Sequence, residues 1–151
     1  MTIVISALSE ERFDDFANLI NDLADYEKLD RPSAEAVTRL RADAFGDNRR
    51  FEAFLADIDG KAVGYAITFQ TYSSFLAKPT QYLEDLYVRE DARKAGVGGA
   101  LFDHVQNLAK SRGCGRMEWQ VLDWNKLARD FYERRGARFL HDWCTYRIDL
   151  S

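Results

Sequence analysis

An apolar, strand-like run ends at Val88 and an amphipathic helical pattern begins at Gly98; Arg93-Lys94-Ala95-Gly96-Val97-Gly98-Gly99 lies between them. A turn so rich in glycine constrains the chain on both sides. It lets the backbone approach a ligand closely, and it opens a helix whose first N–H groups have no partner inside that helix. Such N–H groups suit an anion, above all a pyrophosphate. Arg93 and Lys94 add positive charge beside them. A solvated helix start would need the same residues, so the turn alone leaves both readings open. A dinucleotide fold is disfavoured, because its signature lies early in a βαβ unit, with three glycines and an acid about 20 residues on.

The other periodicities arrange themselves around this turn. Thr2 to Ser6 alternates weakly, as a first strand does. Ser9 is a candidate N-cap, with Arg12 where a capping box would want an acid, and Phe13, Phe16, Ala17, Ile20, Leu23 and Ala24 recur at helical spacing. Pro32-Ser33 starts a second helix with Ala36, Val37, Leu40 and Ala44 on its apolar side, ended by Gly46-Asp47-Asn48. Phe51 to Ile58 and Ala62 to Thr71 read as strands joined by the hairpin signal Asp59-Gly60, with Gly64 marking a bulge. Ser73 to Thr80 reads as a loop broken by Pro79, and Tyr82 to Val88 as a central strand holding two carboxylates, Glu84 and Asp85. A helix over Gly98 to Arg112, a strand over Met117 to Leu122, a short helix over Asn125 to Arg135 closed by Gly136, and a last strand over Trp143 to Leu150 complete the chain. The order β-α-α-β-β-β-α-β-α-β describes one α/β domain over residues 1–151 with a mixed sheet.

Composition narrows the function. A chain of 151 residues fits one domain with a real core. A net charge of −4 and a pI of about 5.2 disfavour nucleic acid as a partner and mildly favour a cationic substrate. Two cysteines and two histidines without metal-ligand spacing point to reduced thiols in a cytoplasmic protein. No apolar run is long enough to span a membrane, and the N-terminus does not read as a signal peptide.

With these elements placed, the motifs become specific. Arg93-x-x-Gly96-x-Gly98 after a strand resembles the acetyl-CoA pyrophosphate loop of the GNAT superfamily of N-acetyltransferases. Asn125, followed by Phe131-Tyr132-Glu133-Arg134-Arg135-Gly136-Ala137, resembles that superfamily's later motif, in which a helix Asn contacts the cofactor and a Tyr faces the thioester sulfur. Leu19-Ile20, Leu23-Ala24-Asp25-Tyr26-Glu27, Tyr82-Leu83-Glu84-Asp85-Leu86-Tyr87-Val88 and Trp124-Asn125 resemble segments of its diamine (spermidine/spermine) and thialysine acetyltransferase branch. The resemblance implies the GNAT fold, a mixed and mostly antiparallel sheet with helices on both faces. It implies acetyl-CoA as the acyl-donor cosubstrate, with no metal. The donor's contacts would be Leu86, Tyr87 and Val88 along the strand, Arg93, Lys94, Ala95, Gly96, Val97, Gly98 and Gly99 at the turn, and Asn125, Ala128 and Tyr132 on the later helix. One departure matters. After Glu27 the polyamine-acting members are richly acidic, whereas this chain has Lys28-Leu29-Asp30-Arg31, which disfavours a long polycation such as spermine.

The resemblance also implies direct attack by a primary amine on the thioester. Neither cysteine reads as having a histidine placed to activate it, and His104 and His141 read as packing or surface residues. The amine must lose a proton first, and Glu84 is the candidate base, directly or through water. Adjacent strand residues point to opposite faces, so only one of Glu84 and Asp85 aims at the thioester unless a bulge re-aims the other. Both also read as structural carboxylates, one paired with an Arg. By resemblance, the N–H around Leu86 stabilises the oxyanion and Tyr132 gives a proton to the leaving thiolate. Tyr26 and Glu27 would reach the acceptor side, where Glu27 could hold a distal ammonium and Tyr26 could wall the pocket. Asp85 and Trp119 are the further acceptor-side candidates, although core packing is the default for Trp119 and Trp143. Three functions stay open: acetylation of a small amine (a diamine, thialysine or lysine-like compound), acetylation of a protein Lys or N-terminus, and a non-catalytic acyl-CoA sensor. The branch resemblance implies a homodimer.

Overall fold

The computed structural model describes residues 2–150. Packing groups the chain into two compact units, Met1–Trp119 and Gln120–Ser151. In the first unit one sheet has the spatial order β1 (Ile3–Ala7), β2 (Glu52–Ile58), β3 (Lys61–Ser73), β4 (Lys78–Val88) and β5 (Arg116–Trp119). Successive strands pair antiparallel up to β4, and β5 runs parallel to β4. Helices α1 (Phe13–Tyr26), α2 (Ala34–Ala44) and α3 (Val97–Ser111) belong to this unit.

Alternation along β2 and β3 divides their side chains between two faces. Ala53 and Leu55, with Tyr65 and Ile67, form one core with Phe13, Phe16 and Leu19 of α1, and Val37 and Leu40 of α2 pack against it. Phe54 points the other way, onto His104 of α3 at 4.5 Å between rings. Helices therefore cover both faces of the sheet, which explains why β2 is buried through its whole interior.

Local chemistry sets the boundaries. Ser33 caps α2, its Oγ accepting from the Ala36 N–H at 3.1 Å. Ser9 instead precedes a 3-10 turn, Glu10–Arg12, and makes no side-chain cap bond there. Arg12, where a capping acid was missing, donates to Asp15 at 2.8 Å and to the buried Asp57 at 2.7 Å, tying the start of α1 to β2. Asp59 and Gly60 both have positive φ, 51° and 78°, as their hairpin turn requires. The bulge expected near Gly64 falls at Val63, where the register passes from Ala56↔Gly64 to Asp57↔Ala62. Gly64 is needed for another reason: a Cβ there would stand 2.7 Å from the Tyr87 carbonyl oxygen.

Three expectations are corrected. Ser73 to Thr80 is not a loop, because β3 runs to Ser73 and β4 begins at Lys78. Pro79 lies inside β4, opposite Tyr72 and one residue before β5 joins at Thr80, so its missing N–H breaks no ladder on that side. The hairpin tip stands out in solvent, with Phe75 95% exposed. The strand expected over Met117 to Leu122 is only Arg116–Trp119.

The second unit holds α4 (Lys126–Arg134), which Gly136 at φ 88° and an Ala137 N–H bond to the Tyr132 carbonyl close as expected. The strand expected over Trp143 to Leu150 does not form. A strand needs a partner for its backbone groups, and no strand stands among the described residues of this unit. Its apolar residues are exposed instead, Tyr146 at 92% and Ile148 at 85%.

Candidate active site

The decisive irregularity lies in β4. Its pairing with β3 is regular from Ser73↔Lys78 to Thr68↔Leu83, then resumes at Ile67↔Asp85. Glu84 is the extra residue of a β-bulge, without a cross-strand partner in the register. The bulge resets the alternation. Leu83, opposite Thr68, is buried on the α3 side, whereas Asp85, opposite Ile67, faces the α1 side two residues later. Glu84 itself is exposed.

The two neighbouring carboxylates therefore meet different surroundings. Asp85 accepts a hydrogen bond from the Tyr65 hydroxyl at 2.9 Å. Burial pushes its pKa up to about 6, helped by the charges of Glu84 and Glu27 and opposed by the Tyr65 bond. Burial and the Asp85 charge push the Tyr65 phenol up as well. Glu27, just past the end of α1, is also raised by burial. Tyr87 stands between Tyr65 and Tyr26, with ring centroids 6.3 and 6.5 Å away. The end of α1, the middle of β3 and the middle of β4 thus bring Tyr26, Glu27, Tyr65, Asp85 and Tyr87 to one aromatic, acidic face.

The outer edge of β4 is the second component. β5 ends at Trp119, opposite Leu83, so the ladder between them goes no further. The Arg89 N–H reaches Val63 O at 2.8 Å, and the Tyr87 carbonyl faces Gly64, so both point toward β3. Alternation then turns the backbone groups of Leu86 and Val88 outward. Arg93 Nε donates to the Val88 carbonyl at 2.9 Å, while its guanidinium lies over the Tyr26 ring at 4.6 Å and the Tyr87 ring at 5.7 Å. Arg93 is therefore a clamp between the end of α1, β4 and the glycine turn. In that turn Lys94 and Gly96 have φ of 69° and 89°, and Gly96 is the N-cap of α3 without a side-chain cap bond. The N–H groups that open this helix are thus left to a ligand or to solvent.

In the second unit Asn125 is 8% exposed and caps α4, its Oδ1 accepting from the Ala128 N–H at 3.2 Å. Tyr132 is half-buried on α4, its ring edge-on to Phe131 at 5.3 Å.

The family model for acetyltransferases of the GNAT family matches residues 13–137. This chain belongs to the GNAT family. It is an N-acetyltransferase, and GNAT acetyltransferases use acetyl-CoA. Over 98% of its length it is 33% identical to thialysine N-epsilon-acetyltransferase of Sus scrofa, covering 93% of that protein. It is 41% identical to L-ornithine N5-acetyltransferase of Arabidopsis thaliana over 64% of the chain and 43% of the relative. A solved integron cassette protein from the V. cholerae mobile metagenome shares the fold, with a TM-score of 0.85, 22% identity and coverage of 99% of this chain and 93% of that one.

Within the GNAT frame the candidate residues separate. Tyr26, Glu27 and Asp85 share one face, and Leu86, Val88 and Gly96 to Gly99 supply backbone groups at the β4 edge and the turn. Trp119 packs edge-on against Phe102 of α3 at 5.3 Å, which is a core contact. Arg93 spends its Nε on Val88 and its face on two tyrosines, and the Ala128 N–H is held by Asn125. Tyr65 was missed because a Tyr in an apolar strand reads as packing. Among the described residues no group of three His, Cys, Asp or Glu could hold a metal ion.

Proposed function

We propose that this GNAT enzyme acetylates the primary amine of a small molecule carrying a second cationic group, of the thialysine, ornithine or short-diamine class. The observation that carries this reading is the paired acids, Glu27 and Asp85, walled by Tyr26, Tyr65 and Tyr87 beside the β4 bulge. Two carboxylates with tyrosine faces attract a compact dication more strongly than an apolar pocket would. Arg31 does not oppose this from solution, because it is bound to Asp25 at 2.6 Å. The acceptors named for the pig and Arabidopsis relatives support the same class.

The residues fit acetyl-CoA. The outward backbone groups of Leu86 and Val88 match the amides of a pantetheine arm, and the open N-terminus of α3 matches a pyrophosphate. When bound, acetyl-CoA supplies an activated acyl group. Glu84, turned out of the ladder by the bulge, takes the proton from the attacking amine directly or through water. The Leu86 N–H stabilises negative charge at the acyl oxygen. Tyr132 donates its phenolic proton to the departing thiolate, and Asn125 and Ala128 contact the donor at the start of α4. The protein works as a homodimer; Trp143 and Leu150, 77% and 87% exposed in a strand-length segment, support this.

Thiol release from acetyl-CoA tests the reading against putrescine, spermidine, spermine, lysine, ornithine, thialysine and a Lys peptide. A preference for a short dicationic amine over spermine and the peptide is expected. A flat response with acetyl-CoA still bound, or a preference for the peptide, would overturn it.

A further inference from the structure

We infer that Thr68 and Gln81 are positioning residues that hold the β4 bulge in register and, through it, aim Glu84; the inference rests on Glu84 being the base. Both side chains are fully buried, at 0% exposure, on the α3 side of the sheet. Thr68 stands opposite Leu83, the last regular rung before the bulge. Its hydroxyl donates to the Tyr82 carbonyl at 2.6 Å. Gln81 Nε2 donates to that same hydroxyl oxygen at 2.8 Å, which fixes the direction of the Thr68 proton. The Cys114 thiol, in the turn between α3 and β5, donates to Gln81 Oε1 at 3.7 Å, and Gln70 Nε2 donates to the Cys114 sulfur at 3.8 Å. The donors follow one another in a single direction and end on the backbone beside the bulge.

Such a chain is an expensive way to fill a core, since buried polar groups are tolerated only when bonded. Its placement gives it a task. A bulged strand competes with its unbulged register, and a one-residue slip reverses every side chain beyond it. In the unbulged ladder Ile67 would face Glu84 and Ala66 would face Asp85. Asp85 would then leave Tyr65 and point toward α3, and Glu84 would turn onto the α1 face. The Thr68 hydroxyl ties β3 to β4 across the rung next to the point where the two registers diverge. Gln81 keeps that hydroxyl from rotating away.

The test is a kinetic cycle with Thr68→Val, Thr68→Ser, Glu84→Gln and the Thr68→Val/Glu84→Gln pair. Valine keeps the shape and removes the hydrogen bond, whereas serine keeps the hydroxyl. Thr68→Val should lower kcat by about 10- to 100-fold, the scale of a misplaced base. KM for acetyl-CoA should stay within about twofold, and Thr68→Ser should recover most of the loss. On the Glu84→Gln background, Thr68→Val should cost almost nothing more, because both changes remove one function. A folded Thr68→Val enzyme with full kcat would overturn the inference. So would Thr68→Ser as slow as Thr68→Val, or an undiminished Thr68→Val penalty on Glu84→Gln. If Glu84→Gln itself turned over normally, the assignment of the base would fail instead. Should Thr68→Val not fold, Gln81→Met removes the donor that orients the hydroxyl and should lower kcat several-fold with KM for acetyl-CoA unchanged; full kcat there would again overturn the latch.

Discussion

Asp85→Asn should make this enzyme more stable and less useful. Asp85 is largely buried, and its pKa rises from the ordinary 3.8 to about 6. Each tenfold change in proton affinity is worth ~1.4 kcal/mol, so the ionised carboxylate destabilises the fold by at most about 3 kcal/mol. The sign follows from proton counting. Between pH 3.8 and about 6 the folded protein holds a proton at Asp85 that the unfolded chain has released. Stability from this group is therefore complete below that window and lost as pH rises through it. Asparagine is neutral at every pH, nearly the same shape, and its Oδ1 can still accept from Tyr65. The variant and the natural protein should thus match near pH 4 and diverge up to about pH 7, where the variant leads by about 2 kcal/mol. Glu27, Glu84 and Tyr65 interact with Asp85, so the difference curve reads the loss of its ionisation together with its coupling to these groups. Urea denaturation from pH 4 to pH 8 reads that curve directly. KM for the amine should rise about tenfold as one carboxylate of the cation site is lost. A difference curve flat with pH, or a variant less stable than the natural protein at pH 7, would refute the reasoning.

Other perturbations probe other parts. Gly64→Ala places a methyl 2.7 Å from the Tyr87 carbonyl oxygen and should cost about 1–3 kcal/mol by urea denaturation, with kcat falling as β3 and β4 are forced apart. Tyr132→Phe should lower kcat about 100-fold with acetyl-CoA affinity unchanged by calorimetry; normal turnover would remove Tyr132 as the acid. Arg93→Ala frees the Val88 carbonyl and unstacks Tyr26 and Tyr87, so it should cost about 1–2 kcal/mol and raise KM for both substrates, and Arg93→Lys should not restore them because it lacks the planar face. Sedimentation should give a dimer, and charged substitutions at Tyr146 and Ile148 should yield the 17.4 kDa monomer.

Features encoded by one residue and its immediate neighbours were legible in the sequence. Asp59-Gly60 made its turn, Ser33 started its helix through a side-chain cap, and the glycine turn opened α3, because each depends only on residues close in the chain. Features that belong to two strands at once were not legible. Whether Glu84 is paired or bulged depends on the register of β3 against β4, and nothing within Tyr82 to Val88 records it. The alternation rule left two outcomes for Glu84 and Asp85, and the bulge chose between them. Pro79 was misread for the same reason: a proline breaks a strand only where a neighbour asks for its N–H, and β5 begins one residue later. Trp143 to Leu150 has strand composition, yet composition cannot provide a partner. Thr68 left a faint signal, a polar residue inside a largely apolar strand run, whereas Gln81 fell just before the expected strand.

The half-paired edge of β4 has a consequence apart from catalysis. Past Leu83, beyond the end of the β4–β5 ladder, Leu86 and Val88 turn backbone groups outward, and Arg93 holds the Val88 carbonyl. Such an edge is indifferent to what completes it, and another chain's strand would serve as well as a ligand. The fold limits the hazard by geometry: the free stretch is short, Glu84 projects from its bulge at one end, and Arg93 blocks a carbonyl at the other. A donor molecule seated there would act as a removable end-stop for the sheet, so the concentration of substrate in the cell would also set how long this surface remains open to strangers.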